Sequence, residues 1–304
     1  MPDFLIIGAG KSGTTSLDQY LKQHPSIYMS EVKEPNFFTY YQQDPTKYGV
    51  QPNSEHFKRC VVTLPEYQAL FAEAKPEQLR GETSNTYLSV PESSENIKAL
   101  MPKGKFIAIL RHPTERLYSR YLHLARDGRI PTENFEQDVF DKNSIWWKRN
   151  DLVTEGFYYQ HLKPYYEAFN EDQLHIILYD DFRKDANAVL RQIFNFLGVN
   201  PNVSVESSVE LNKSGVVKNK TINRVFGYNG LLVNAAQKIV PKSLYTRLKN
   251  SMLVQGAIGK VRDGNLSRPN LDPEIKKKIT REIYGREIEQ LEKLINRDLS
   301  AWKV

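Results

Sequence analysis

One cysteine, Cys60, stands in 304 residues, so no disulfide can form within the chain. Such sparse use of cysteine fits a reducing compartment. No run of eighteen apolar residues occurs, which leaves no candidate for a membrane-spanning helix. The first residues lack a basic segment followed by an apolar core; their apolar run, FLIIGAG, leads straight into glycines rather than a cleavage site. The six histidines, His24, His56, His112, His123, His161 and His175, fall on separate segments without metal-ligand spacing, so no metal is expected. Repeats and low-complexity tracts are missing too. These absences lead us to expect a soluble, cytoplasmic protein. Acidic residues vanish from one stretch: Lys213 to Arg262 holds ten basic residues and no Asp or Glu. The whole chain carries 42 Lys plus Arg against 36 Asp plus Glu, a formal charge of +6. That mild excess suits an anionic ligand better than the coating of a nucleic acid, and no nucleic-acid partner is expected.

Short apolar runs bounded by turn residues read as buried parallel strands: DFLIIGAG, SIYM, KFIAIL and LHIIL. Helices are expected at TTSLDQYLKQH, which stops at Pro25, and at PEYQALFAEA, SENIKALM, TERLYSRYLHLAR and DANAVLRQIFNFLGV. Leu70, Phe71, Ile97 and Leu100 are the apolar positions of the second and third of these. Residues 133 to 160 mix aromatics and charges and read as irregular helices. The C-terminal PEIKKKITREIYGREIEQLEKLINRDLSAW reads as one long amphipathic helix, with Ile275, Ile279, Ile283, Leu291, Ile295 and Leu299 on its apolar face. Strands alternating with helices imply an α/β fold, a parallel sheet covered on both faces.

The segment GAGKSGTT admits three phosphate-site patterns. A Walker loop needs a glycine five positions before Gly10, and Leu5 stands there. A dinucleotide turn is met by Gly8, Gly10 and Gly13, with Glu31 or Glu34 as the later acid. Against it, Lys11 occupies the turn where backbone should approach a pyrophosphate, and Thr14 and Thr15 open the helix. A third pattern uses every residue: helix-start N–H groups, the hydroxyls of Thr14, Thr15 and Ser16, and the mobile charge of Lys11 converge on one concentrated anion.

Taken in order, FLIIGAGKSGTTSLDQYLKQHP, KEPNFFTY, GETSNTYL, IAILRHPTERLYSRYLH, EGFYYQHLKPYYEAF, LNKSG and RDLSAW resemble sulfotransferases that use 3′-phosphoadenosine 5′-phosphosulfate (PAPS), in the heparan-type and bacterial branch. The resemblance spans almost the whole chain. It implies a three-layer, single-domain α/β fold over residues 1–304, related to P-loop nucleotide folds, with 213–262 as a lid-like part. It implies that Lys11, Ser12, Gly13, Thr14, Thr15 and Ser16 hold the 5′-phosphosulfate, with Lys11 at the leaving phosphate oxygen. Arg111 and Ser119 would hold the 3′-phosphate. Lys213, Ser214 and the backbone at Gly215 would close over the nucleotide. Glu34 becomes the candidate base, with Phe37 and Phe38 expected to shield it from water. Glu82 stands in reserve, and His161 is a weaker candidate. Those relatives often carry His where Asn36 stands and Lys where Thr83 stands, so the acceptor stays open: a glycan, a lipid or a small metabolite bearing a hydroxyl or amine.

Arg116 and Arg120 read as a solvated face of their helix. The acid-free stretch reads as a solvated lid, with peripheral membrane contact as the other option. Two further functions fit less of the chain. A nucleotide-dependent kinase would need a metal-binding carboxylate at a strand end, which only Asp180 and Asp181 offer. A binding module would sense an adenine nucleotide or polyanion without catalysis.

Overall fold

The computed structural model describes residues 1–48, 50–51, 54–127, 129–130, 134–207, 216–217, 266–267 and 269–303. Lys213, Ser214, Gly215 and nearly all of the basic stretch lie outside the described residues.

Five parallel strands form one sheet: β1 (Phe4–Gly8), β2 (Ile27–Met29), β3 (Leu79–Thr83), β4 (Lys105–Leu110) and β5 (Leu174–Leu178), in the order β2-β3-β1-β4-β5. This is the α/β class expected. All of β1 is buried, and so is β4 beyond Lys105, which is why both read as unbroken apolar runs. Alternate residues serve opposite faces. Phe4, Ile6, Ile107 and Ile109 pack with Leu17 and Leu21 of α1 (Thr14–Leu21) and with core residues between Ala186 and Leu197. On the other face, Phe106 meets Tyr165 and Phe169 with ring centroids 6.0 and 4.5 Å apart.

Among the described residues before 200, the other α-helices are α2 (Phe37–Tyr40), α3 (Glu55–Arg59), α4 (Leu64–Ala69), α5 (Thr86–Ser89), α6 (Pro91–Leu100), α7 (Pro113–Arg126), α8 (Phe135–Phe140), α9 (Ile145–Lys148), α10 (Tyr158–Ala168), α11 (Tyr179–Lys184) and α12 (Ala186–Leu197). The aromatic-rich segment thus forms short helices. Phe71 and Ile97 are buried, while Leu70 and Leu100 are only half-buried. Asp185 caps α12 by accepting from Ala188 N at 2.8 Å, and Gly198 ends it in a left-handed turn.

The C-terminal helix differs from its expectation. Helix Pro273–Ile279 passes through a π-helical turn, Thr280–Tyr284, into helix Gly285–Leu294, and regular helix stops there, short of Leu299. The wider turn rotates the buried face. Tyr284 is fully buried and donates to Val153 O at 2.9 Å, whereas Ile283 is half-buried.

The chain divides into two compact units: residues 1–117, 136–211 and 273–304, and residues 118–135 with 212–272. In the second, Tyr118 and Tyr121 stack at 5.7 Å and both rings meet Phe135, and Val216–Val217 pairs antiparallel with Leu266–Ser267.

Candidate functional site

β1 hands its chain toward β2, while its neighbour β4 hands its chain toward β5. The two central strands therefore part at their C-terminal ends, where an open α/β sheet builds its ligand crevice. The GAGKSGTT loop leaves β1 there and Arg111 leaves β4 there.

The loop has the form an anion site requires. Lys11 is left-handed at φ 67, and Gly13 at φ 98. A side chain at Gly13 would be strained, and its Cβ would lie 3.1 Å from Tyr179 Cε2. Gly13 opens α1 without a side-chain cap, and no acid stands in the first turn. The first N–H groups of α1 thus carry the helix's positive end without a carboxylate to quench it.

A buried ion pair holds this loop from beneath. Glu155 Oε1 accepts from Gly10 N at 2.7 Å, and Glu155 Oε2 accepts from Arg116 Nη1 at 2.7 Å. Arg116 also donates to the Leu152 and Asp151 carbonyls. Arg116 is 0 % exposed, which corrects its reading as a solvated residue. The reason is long-range: its partner lies 39 positions away, beyond any helical spacing rule.

Arg111 stacks over the Tyr179 ring at 5.0 Å and pairs with Glu115 at 3.4 Å. Its backbone carbonyl accepts from Tyr158 OH at 2.9 Å. Tyr179, at the end of β5, therefore touches Arg111 on one side and closes against Gly13 on the other. The loop after β1 and Arg111 after β4 thus meet at one ring. Ser119 is buried and belongs to the second unit.

Glu34 follows β2 in a tight loop, with φ 58 there and φ 51 at Asn36. Its N–H donates to Thr83 O at 2.9 Å. Its carboxylate accepts from Asn85 Nδ2 at 3.0 Å, lies 3.4 Å from Lys33 Nζ and 3.9 Å from Arg59 Nη2, and is 26 % exposed. The same Lys33 ammonium donates to Thr15 Oγ1 at 2.9 Å. One cation thus bridges the α1 start and Glu34.

Phe37 and Phe38 do not serve as the expected shield for Glu34. They turn into the core, where Phe37 stacks on Tyr67 at 4.1 Å and Phe38 meets Tyr67 and Tyr87 edge-on. The carboxylate inside that aromatic nest is Glu82. Burial pushes it up to about 7, against the lowering effect of its hydroxyl donors Tyr87, Ser84 and Tyr67. Thr83, where lysine is frequent in the resembling family, donates instead to the buried Asp18 at 2.8 Å.

His161 Nε2 meets Thr154 O at 2.8 Å and holds the turn that carries Glu155. Asp180 and Asp181 sit in the first turn of α11, just past the end of β5, and Asp181 pairs with Arg297 at 2.7 Å. Among the described residues, no cluster of His, Cys, Asp or Glu is arranged to hold a metal ion. No described helix is long and apolar enough to cross a membrane.

Sequence spacing missed Glu155 and Tyr179, gave Arg116 as solvated, and offered Lys33 only as a surface partner of Glu34. Their signals were present but unread: Glu155 opens EGFYYQHL, and Lys33 precedes the candidate base. The residues present, a helix start, hydroxyls and a guanidinium, suit an anionic phosphate or sulfate group. Among the described residues, Arg111 Nε is buried without a hydrogen-bond partner, and Ser12 Oγ is buried beside the Tyr158 hydroxyl.

The sulfotransferase domain model matches residues 1–244. A mouse bifunctional heparan sulfate N-deacetylase/N-sulfotransferase 4 is 28 % identical over 219 residues, 69 % of this chain and 24 % of that protein. The membrane-associated sulfotransferase kil1 of Dictyostelium discoideum is 31 % identical over 150 residues, 48 % of this chain and 29 % of that protein. The chain therefore spans about a quarter of the length of these curated relatives. Among solved structures, a sulfotransferase from Alicyclobacillus acidocaldarius superposes with a TM-score of 0.69 at 26 % identity, covering 100 % of this chain and 99 % of that one. With four-fifths of its length matched by that model, the chain belongs to the sulfotransferase domain family.

Proposed function

We propose that the protein moves a sulfuryl group from PAPS to a hydroxyl or amine of an acceptor, which is a carbohydrate, a lipid or a small metabolite. The observation that carries the proposal is the Lys33 bridge: 2.9 Å to Thr15 of the anion-binding helix and 3.4 Å to Glu34. It joins a donor loop to a carboxylate able to take a proton, which a nucleotide sensor would not need.

PAPS supplies, when bound, a sulfuryl group on a phosphate oxygen, poised for in-line displacement. The chain's own residues do the rest. Thr14, Thr15, Ser16 and the first N–H groups of α1 bind the 5′ end. Lys11 holds positive charge where the leaving oxygen becomes anionic. Arg111, with Ser119, grips the 3′-phosphate through a planar fork. Lys213, Ser214 and Gly215 complete the nucleotide site in this proposal. Glu34 receives the acceptor proton, while Lys33 and Asn85 hold its carboxylate in place. The whole chain acts as one sulfotransferase domain, and the lone Cys60 fits a cytoplasmic setting.

Glu34→Gln keeps the shape and the contact with Asn85 but removes the base. Its kcat is expected to fall by roughly 10²–10⁴-fold, with unchanged affinity for adenosine 3′,5′-bisphosphate. Transfer of radiolabelled sulfate, screened over glycans, sterols and phenols, measures the effect and identifies the acceptor. Parental activity in the variant would remove Glu34 from the mechanism.

A further inference from the structure

β3 runs into three polar residues, Glu82, Thr83 and Ser84, and the loop bearing Glu34 is fastened to this strand end. Glu34 N donates to Thr83 O at 2.9 Å, Asn36 N to Ser84 Oγ at 3.1 Å and Phe38 N to Tyr87 OH at 3.4 Å. Two of these acceptors are hydroxyls, and both hydroxyls point their protons at Glu82. Ser84 Oγ donates to Glu82 Oε2 at 2.9 Å, and Tyr87 OH donates to Glu82 Oε1 at 2.6 Å. Tyr67 OH adds a third donor at 3.0 Å.

A hydroxyl has one proton. Once that proton is committed to a carboxylate, only lone pairs face outward, and the oxygen is fixed as an acceptor. The amides of Asn36 and Phe38 require acceptors in those places. The loop needs such fastening because Glu34 and Asn36 both adopt left-handed backbone that side-chain-bearing residues rarely take.

We infer that Glu82 is a positioning residue for Glu34: as a carboxylate it orients the Ser84 and Tyr87 hydroxyls, and these fix the turn that presents Glu34 to the acceptor. The inference rests on Glu34 being the base. Glu82 itself is 0 % exposed, and both its oxygens are occupied by protein hydroxyls, so it does not meet the acceptor.

The arrangement is sensitive to protonation. A protonated Glu82 must donate, so one of its three hydroxyl partners must turn its proton elsewhere, and the relay to the loop is disturbed. The groups that face Glu82 are Tyr67 from α4, Tyr87 from α5, Ser84 from its own strand end and the charge of Asp18 from α1. Burial holds both tyrosines well above 10, so they remain donors throughout the range in which Glu82, at about 7, changes state. The sign follows. Turnover is supported by ionised Glu82 above that value and lost as pH falls through it.

Glu82→Gln replaces one of the two accepting oxygens by an amide nitrogen that only donates, so at every pH, as in the protonated acid, a donor faces hydroxyls that the carboxylate orients. Above about pH 8, its kcat is expected to fall roughly 10- to 100-fold, the cost of a misplaced group, with the KM for PAPS within about twofold of the parent. Below about pH 6 the two enzymes should converge, because the parent then carries the neutral form as well. Equal kcat at all pH values would overturn the inference. So would a kcat loss shared equally with a higher donor KM, since that marks general structural damage. If Glu34→Gln is inactive while Glu82→Gln behaves like the parent, only this inference fails; if Glu34→Gln is active, the proposed mechanism fails with it. Should Glu82→Gln not fold, Ser84→Ala deletes one relay alone. It is expected to lower kcat with unchanged donor KM, and an unchanged kcat would again overturn the role.

Discussion

Replacing Lys11 by alanine is expected to lower kcat by roughly 10²–10³-fold, the usual cost of losing one charge-stabilising donor, with little change in affinity for adenosine 3′,5′-bisphosphate. The loop that carries Lys11 is shaped by features other than its side chain: the left-handed turn at Gly13, the start of α1, and the Glu155 carboxylate on Gly10 N. In the proposed mechanism those features bind the ground-state nucleotide. The ammonium is proposed to act where negative charge grows during transfer, so its removal should appear in kcat more than in binding. Single-turnover transfer alongside calorimetric titration separates the two effects. A variant that binds poorly but turns over normally would reverse the assignment, making Lys11 a ground-state contact only.

Arg116→Met is expected to destabilise the fold by about 3–5 kcal/mol, the loss typical of a buried ion pair broken from one side. Arg116 is fully buried, Glu155 nearly so, and removing the cation strands a carboxylate beneath the donor loop. Denaturant unfolding with linear extrapolation measures the change. The double variant Arg116→Met with Glu155→Gln should recover a large share, because no charge is then left unpaired. A loss below about 1 kcal/mol, the range of solvated pairs, would mean that water reaches this pair. Donor binding should also weaken in the single variant, since Glu155 positions the Gly10 amide.

These two sites show how far local pattern reaches. The strand–turn–helix unit around Lys11 was legible because a buried strand, a glycine turn and a helix start are adjacent in sequence. β1 and β4 were legible because burial on both faces demands continuous apolar residues. Arg116 was not, because its partner sits on a turn far along the chain. The aromatic pair beside Glu34 misled for a related reason: proximity in sequence does not say which carboxylate the rings enclose. Phe37 and Phe38 enclose the neighbourhood of Glu82, through Tyr67 and Tyr87, which come from two other helices. At the C-terminus, strict helical periodicity failed at the π-helical turn, which moved burial from Ile283 to Tyr284.

The central claim is that one adenosine donor is clamped at two strand ends, by the Lys11 loop after β1 and by Arg111 after β4. Calorimetric titration of adenosine 3′,5′-bisphosphate in the presence of a metal chelator tests it most directly. The account predicts one tight, metal-independent site, weakened by about 1.5–3 kcal/mol in Arg111→Ala, the worth of charged hydrogen bonds. Absent binding, a preference for magnesium-ATP, or an affinity indifferent to Arg111 would contradict it.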